Sequence, residues 1–112
     1  MKLFVQESAE RDILNQVAWY AGQGLPDIAR RFSSASVEAI EALILIPEAG
    51  PSRHSINPEL VGLRTWGVKG FDEFRVYYIM RADLLIVVRV LHSKQNTDAI
   101  LDGQGVNAGS DR

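Results

Sequence analysis

Five side chains in the second half of this sequence have the chemistry to act on something: Arg64, Arg75, Arg89, His92 and Lys94. Arginine and lysine can clamp a phosphate and stabilise charge that develops on it. A histidine, with an unperturbed pKa of about 6.5, can serve as an acid or a base. Arg89 stands inside VVRVLHSKQN, residues 87–96, which otherwise begins like the middle of a buried strand. Either the guanidinium is paired and structural, or it faces a working surface. Structural roles are open to the others too. Arg64 and Arg75 can pair with Glu73 or Asp83 on the surface, where such pairs stabilise little, and a strand-end His92 can simply bond to backbone. Trp19, Tyr20 and Trp66 are residue types that usually anchor cores or interfaces. GVKG lacks the spacing of a phosphate-cradling loop.

Composition limits what such residues can be part of. The chain has 112 residues, of which 46% are hydrophobic, enough for one core and too few for two domains. With no cysteine there is no disulfide or thiolate metal site, and His54 and His92 stand far apart without an acidic cluster. Neither a metal nor a cofactor is expected. The longest nearly uncharged run, residues 39–46, is far short of the roughly 20 apolar residues of a membrane span, and the opening residues do not form a cleavable signal. A soluble, cytoplasmic protein with no membrane partner is expected. The net charge is −2, unevenly spread: residues 1–50 carry four basic against seven acidic side chains, residues 51–101 seven against five.

The elements that must position these residues follow from hydrophobic period. Residues 2–6 alternate as a short strand. Ile13, Leu14, Val17, Tyr20 and Ala21 then recur at helical spacing, with Ser8 placed to cap the helix. Gly22 and Gly24 end it, and Pro26 suits the first turn of a second helix. That helix carries Ile28, Phe32, Ala35, Ala39, Leu43 and Ile46 as its stripe and stops at Pro47. So short a link predicts an antiparallel helical hairpin. After a loop over residues 47–62, runs at 63–68, 73–80 and 84–91 predict an antiparallel meander. The fold class is α+β, in the order β-α-α-β-β-β, with the hairpin packed on one face of an antiparallel sheet. Residues 1–101 form the domain, and 102–112, DGQGVNAGSDR, have the composition of a disordered tail.

Residues 84–91 are apolar on both faces apart from Arg89, which describes a strand covered twice. The hairpin supplies one cover. Nothing after Ile100 offers a second, so a partner chain is expected on the other face, unless loop 47–62 folds over it. The face of Arg89 turns on register. A two-residue Ala82-Asp83 turn places it with Val76 and Tyr78; one more residue places it with Arg75 and Tyr77.

This order, with ILNQVAWYA, LILIPEAG, GLRTWGVKGFDEFRVYYIM and VVRVLHSKQN, resembles the ParE branch of the RelE/ParE superfamily of type II toxin–antitoxin toxins. The resemblance covers residues 3–101. It implies a growth-inhibiting toxin, of a kind tied to plasmid stabilisation, neutralised by a cognate antitoxin in a 1:1 or 2:2 complex. The antitoxin's C-terminal segment would wrap the toxin, and its contact candidates here are Val17, Tyr20, Phe32, Leu85, Val87 and Leu91.

The superfamily divides by activity. RelE-like members cleave mRNA on the ribosome, using cations around the scissile phosphate. Where that pattern has two lysines at alternate positions after the long loop, this chain has Arg64 and Trp66. Arg75 matches a catalytic arginine of the next strand. An arginine expected just after the last strand is replaced by His92-Ser93-Lys94-Gln95-Asn96, with Lys94 offering only a point charge. The C-terminal tyrosine has no match within residues 97–101. These departures favour the ParE-like alternative: inhibition of DNA gyrase, without covalent chemistry and without sequence-specific DNA binding by the toxin alone. Its target-binding candidates are Trp66, Arg75, Arg89, His92 and Lys94. An interferase would instead use Arg64, Arg75, Arg89 and Lys94.

Overall fold

The strand and helix periods resolve into an α+β domain in the computed structural model, which describes residues 1–107. In chain order the elements are β1 (Lys2–Val5), α1 (Glu7–Gly22), α2 (Pro26–Leu45), a 3-10 turn (Pro58–Leu60), β2 (Arg64–Val68), β3 (Phe71–Arg81), β4 (Leu84–His92) and α3 (Thr97–Asp102). Residues 108–112, the outer part of the expected tail, lie outside the described residues.

α1 begins without the cap expected from Ser8. Gln6 holds the N-cap position, its side chain bonded to Gly105 O and not to the helix amides, while the Ser8 hydroxyl donates to Val88 O at 2.7 Å. Glu7 and Glu10 still favour this helix start, because carboxylates are stabilised at the positive end of the helix dipole. Gly24, with φ 76°, turns the chain, and Pro26 opens α2 where a missing N–H is harmless. The stripe that α2 buries is Ala29, Phe32, Ser36, Ala39, Ile40 and Leu43. It is turned from the expected one: Ser36 enters the core, and Ile46, past the end of the helix, is 47% exposed.

The sheet order is β1-β4-β3-β2. β2, β3 and β4 form the expected antiparallel meander, and β1 adds to the far edge of β4 in parallel. Parallel pairing needs a long crossover, and here everything between Val5 and Leu84 provides it. The helical hairpin covers one face. Phe32 lies 4.8 Å from Phe74 and 5.1 Å from Phe71, ring to ring, in a cluster with Val76, Tyr78, Leu85 and Val87. Each large side chain buried this way contributes about 1.5–3 kcal/mol.

The opposite face departs from expectation, since this chain covers it. Leu60 and Leu63 of the long loop, Ile100 and Leu101 of α3, and Val106 pack against Tyr77, Ile79, Ile86, Val88 and Leu91. No single segment there is apolar enough to read as a layer; the cover is assembled from scattered residues and held by polar bonds. Asn57 Nδ2 donates to Leu101 O and to Gln104 O, both at 2.8 Å, and Val106 N donates to Glu59 Oε1 at 2.9 Å. Residues 103–107 are thus bonded to the domain despite their tail-like composition.

Register decides the face of Arg89. Ala82-Asp83 is the two-residue turn, with Arg81 opposite Leu84. A constant register would then set Arg89 opposite Val76. Instead the pairing shifts, so that Tyr78 faces Val87 while Tyr77 faces Arg89. Val88 is the extra residue, and the bulge carries Arg89 to the face of Tyr77.

Candidate functional site

The edge of β4 explains what Arg89 does. β1 is short and pairs with β4 only as far as Val87, so the next backbone groups of β4 need other partners. α1 provides them. Gln6 N donates to Val87 O, Ser8 Oγ donates to Val88 O, and Asp12 Oδ2 accepts from Val90 N at 2.9 Å. Ser8 and Asp12 are four residues apart, hence on one face of the helix. Further on, Gln95 Oε1 accepts from His92 N at 2.7 Å. Side chains therefore take the place of a missing strand and block this edge to other chains.

The Asp12 carboxylate also grips Arg89 in a fork. Nε and Nη2 of Arg89 each donate to it at 2.7 Å, and Nη1 donates to Gln104 Oε1 at 3.1 Å. The pair is mostly buried. Bidentate, charge-assisted geometry of this kind is the strongest that an arginine makes. Of the two opening alternatives for Arg89, the paired, structural one describes this geometry.

Arg64 is committed as well, to carbonyls. It donates to Glu48 O at 3.0 Å and Gly50 O at 2.6 Å, drawing loop 47–51 onto the sheet. Tyr78 completes this anchor from beneath: its buried hydroxyl donates to Pro47 O at 2.8 Å and accepts from Gly50 N at 3.1 Å. A Cβ at Gly50 would come within 2.2 Å of Thr65 O, so only glycine fits the approach. Burial raises the Tyr78 pKa above 10.0, against the opposing pull of the Gly50 bond and the Arg64 charge.

His92 is held on both ring nitrogens. Nδ1 accepts from Lys94 N at 3.0 Å and Nε2 lies 2.6 Å from Glu73 Oε1, while the ring meets Phe74 edge to face at 4.9 Å. Backbone bonding, the structural alternative for this residue, is thus observed. Lys94 is exposed in the turn after β4. Arg75 is exposed opposite Gly67, and Trp66 is half-buried, facing the helix side opposite Val76. These two meet at an open cleft of about 520 Å³, shared with Pro51, Gly67, Val68, Lys69 and Asp72. Of the nominated side chains, Trp66 and Arg75 share this cleft, and Tyr20 and His92 share a smaller concavity with Phe71 and Glu73. Among the described residues no cluster of His, Asp and Glu could hold a metal ion, and no helix is long and apolar enough to cross a membrane.

The candidate docking residues divide sharply. Phe32, Leu85, Val87 and Leu91 are buried inside the chain's own core and present no surface. Leu91 lies under the cover that Leu60, Leu63, Ile100, Leu101 and Val106 supply, whereas Phe32, Leu85 and Val87 lie beneath the helical hairpin. Val17 and Tyr20 remain half-buried on α1, near an exposed Trp19. Sequence reasoning overlooked Asp12, Gln104, Lys69 and Asp72. Only Asp12 carried a signal, as one of two polar residues four apart beside the buried Ala9.

Comparison with known proteins agrees with this architecture. The family model for the ParE toxin of type II toxin–antitoxin system, parDE, matches residues 3–97. A solved structure described as the chromosomal ParDE TA system from P. aeruginosa superposes with a TM-score of 0.68 at 20% identity, covering 82% of this chain and 95% of that one. At that identity it speaks for the fold. No protein of curated function matches at a significant level. With its fold built as described and the match spanning residues 3–97, the chain belongs to the ParE toxin family of type II toxin–antitoxin systems.

Proposed function

We propose that this toxin acts by binding and inhibiting DNA gyrase in the cytoplasm, without covalent chemistry of its own, and that a cognate antitoxin neutralises it by docking along α1 around Val17 and Tyr20. What chiefly supports the non-nucleolytic reading is the commitment of Arg89 to Asp12 and Gln104. A phosphate clamp would need that guanidinium free. Arg64, bound to loop carbonyls, is similarly engaged, and register sets it on the opposite face of the sheet from Arg75. A ribosome-dependent interferase requires those cations to converge on one phosphate.

The test uses purified toxin in two assays: supercoiling of relaxed plasmid by gyrase, and translation of a defined message on ribosomes. Loss of supercoiling with the message intact is the expected result, reversed by the antitoxin. Cleavage within codons while supercoiling continues would replace this mechanism with the interferase. Silence in both, and no growth arrest in cells, would mark a degenerate, non-toxic member.

A further inference from the structure

The cleft at Trp66 and Arg75 straddles a stretch of β2 edge that the described residues leave open. Loop residues 51–53 run beside β2 and bond to it: Arg53 N donates to Leu63 O, and Thr65 N donates to Pro51 O, around a bridge between Ser52 and Arg64. Among the described residues this ladder ends at Pro51. Proline has no N–H to return to Thr65 O, and Gly50, though packed against that oxygen, gives its own N–H to the Tyr78 hydroxyl. Strand alternation sets the N–H and C=O of Gly67 on the same outer edge as those of Thr65. Gly67 has no side chain to shield that edge, and it is exposed.

Two cations, Lys69 and Arg75, and one carboxylate, Asp72, line this edge. Arg11, Arg30, Arg53 and Arg89 all sit in ion pairs. Among the described residues Arg75 and Lys69 do not, although Asp72 also lines the cleft. The Arg75 guanidinium lies close along the strand, 3.3 Å from where a Cβ of residue 67 would be. A half-buried Trp66 forms the wall on the other side. An exposed backbone edge, an aromatic wall and two cations without carboxylate partners together describe a seat for extended peptide. Two cations beside Asp72, in a chain of net charge −2, are too few for the phosphate contacts that nucleic acid binding needs.

We propose that this cleft docks an extended, acidic peptide segment of the toxin's protein target, adding it as a short strand at Gly67 with its carboxylates on Arg75 and Lys69 and an apolar side chain on Trp66. The assignment rests on the target-binding reading above for the name of the target, gyrase. It fits a partner strand in the line that the toxin's own loop vacates at Pro51.

The experiment measures gyrase inhibition, gyrase binding without DNA, antitoxin binding and growth arrest for wild type, Arg75→Glu, Trp66→Ala and Lys2→Glu. Lys2 is exposed on β1, at the opposite edge of the sheet from β2, and its reversal controls for charge alone. Arg75→Glu and Trp66→Ala should each raise the half-inhibitory concentration at least about 10-fold, while Lys2→Glu stays within about 2-fold and all variants bind antitoxin. Should Trp66→Ala melt early, Arg75→Glu carries the test, because its side chain is exposed. Equal inhibition by all four proteins overturns the proposal, as does binding that appears only with DNA, or a loss confined to antitoxin binding. If wild type leaves gyrase untouched, the gyrase reading fails. The cleft is then judged on growth arrest: arrest lost in Arg75→Glu and Trp66→Ala upholds it for another target, and arrest unchanged overturns it.

Discussion

Replacing Asp12 with alanine is the sharpest probe of how this sheet edge is held. The carboxylate accepts from Arg89 Nε and Nη2, both at 2.7 Å, and from Val90 N at 2.9 Å. Its removal leaves a charged guanidinium with Gln104 alone and strands a backbone N–H. Breaking a well-buried ion pair from one side costs about 3–5 kcal/mol. Here the Arg89 side chain is 21% exposed and that of Asp12 12%, so water recovers part of the loss and about 2–4 kcal/mol is expected. For a domain of roughly 100 residues, 1 kcal/mol moves Tm by about 4–8 °C, so Asp12→Ala should melt about 8–32 °C below wild type. Urea unfolding followed by circular dichroism, for both single variants and the double Asp12→Ala/Arg89→Ala, gives the coupling directly. About 2 kcal/mol is expected, with the double variant more stable than the two single costs added. A single-variant cost within about 0.5 kcal/mol, or a cycle with no coupling, would refute this account of the edge. So would an Arg89→Ala protein that melts like wild type yet loses toxicity, since the cation would then be serving a target.

Three further expectations come from particular side chains. The Tyr78 proton is held more tightly in the folded chain than in the unfolded one, because burial raises its pKa above 10.0; stability is therefore full below about pH 10 and falls as pH rises through the folded value. Alkaline melts of Tyr78→Phe should flatten that fall, and near neutral pH the variant should lose about 1–3 kcal/mol as Gly50 N and Pro47 O lose their partner. Ser36 Oγ is buried without a hydrogen-bond partner, so Ser36→Ala should raise stability by about 1 kcal/mol, read as a higher urea midpoint with unchanged slope. Ala82 sits at φ 53° in the β3–β4 turn, a left-handed conformation that asparagine tolerates better. Ala82→Asn should gain up to about 1 kcal/mol in thermal melts.

Much of the fold was legible because local period carries it. The helical hairpin and the meander follow from spacing and turn chemistry over a few residues, whereas the length of the turn at Ala82-Asp83 took the pairing of Arg81 with Leu84 to fix. The candidate site was only half legible. Arg64, Arg75 and Arg89 stand out by type within the strand-forming runs, but their use depends on partners distant in sequence. Asp12 lies 77 positions from Arg89, and Gln104 reads as part of a tail.

What the amino-acid order determined by itself, then, was the order β-α-α-β-β-β with the helical hairpin on one face of the sheet, together with a family resemblance that the comparison upheld. Tertiary structure alone decided three matters. The bulge at Val88 turned Arg89 toward its partners, since a one-residue slip reverses every later side chain on a strand. The second face of the sheet found its cover in Leu60, Leu63, Leu101 and Val106, single residues whose burial pays off only in three dimensions. And at VVRVLHSKQN, the arginine in an apolar strand became a structural clasp, while Lys69 and Arg75 line the cleft at Gly67, where Pro51 ends one strand pairing and leaves an edge unfilled.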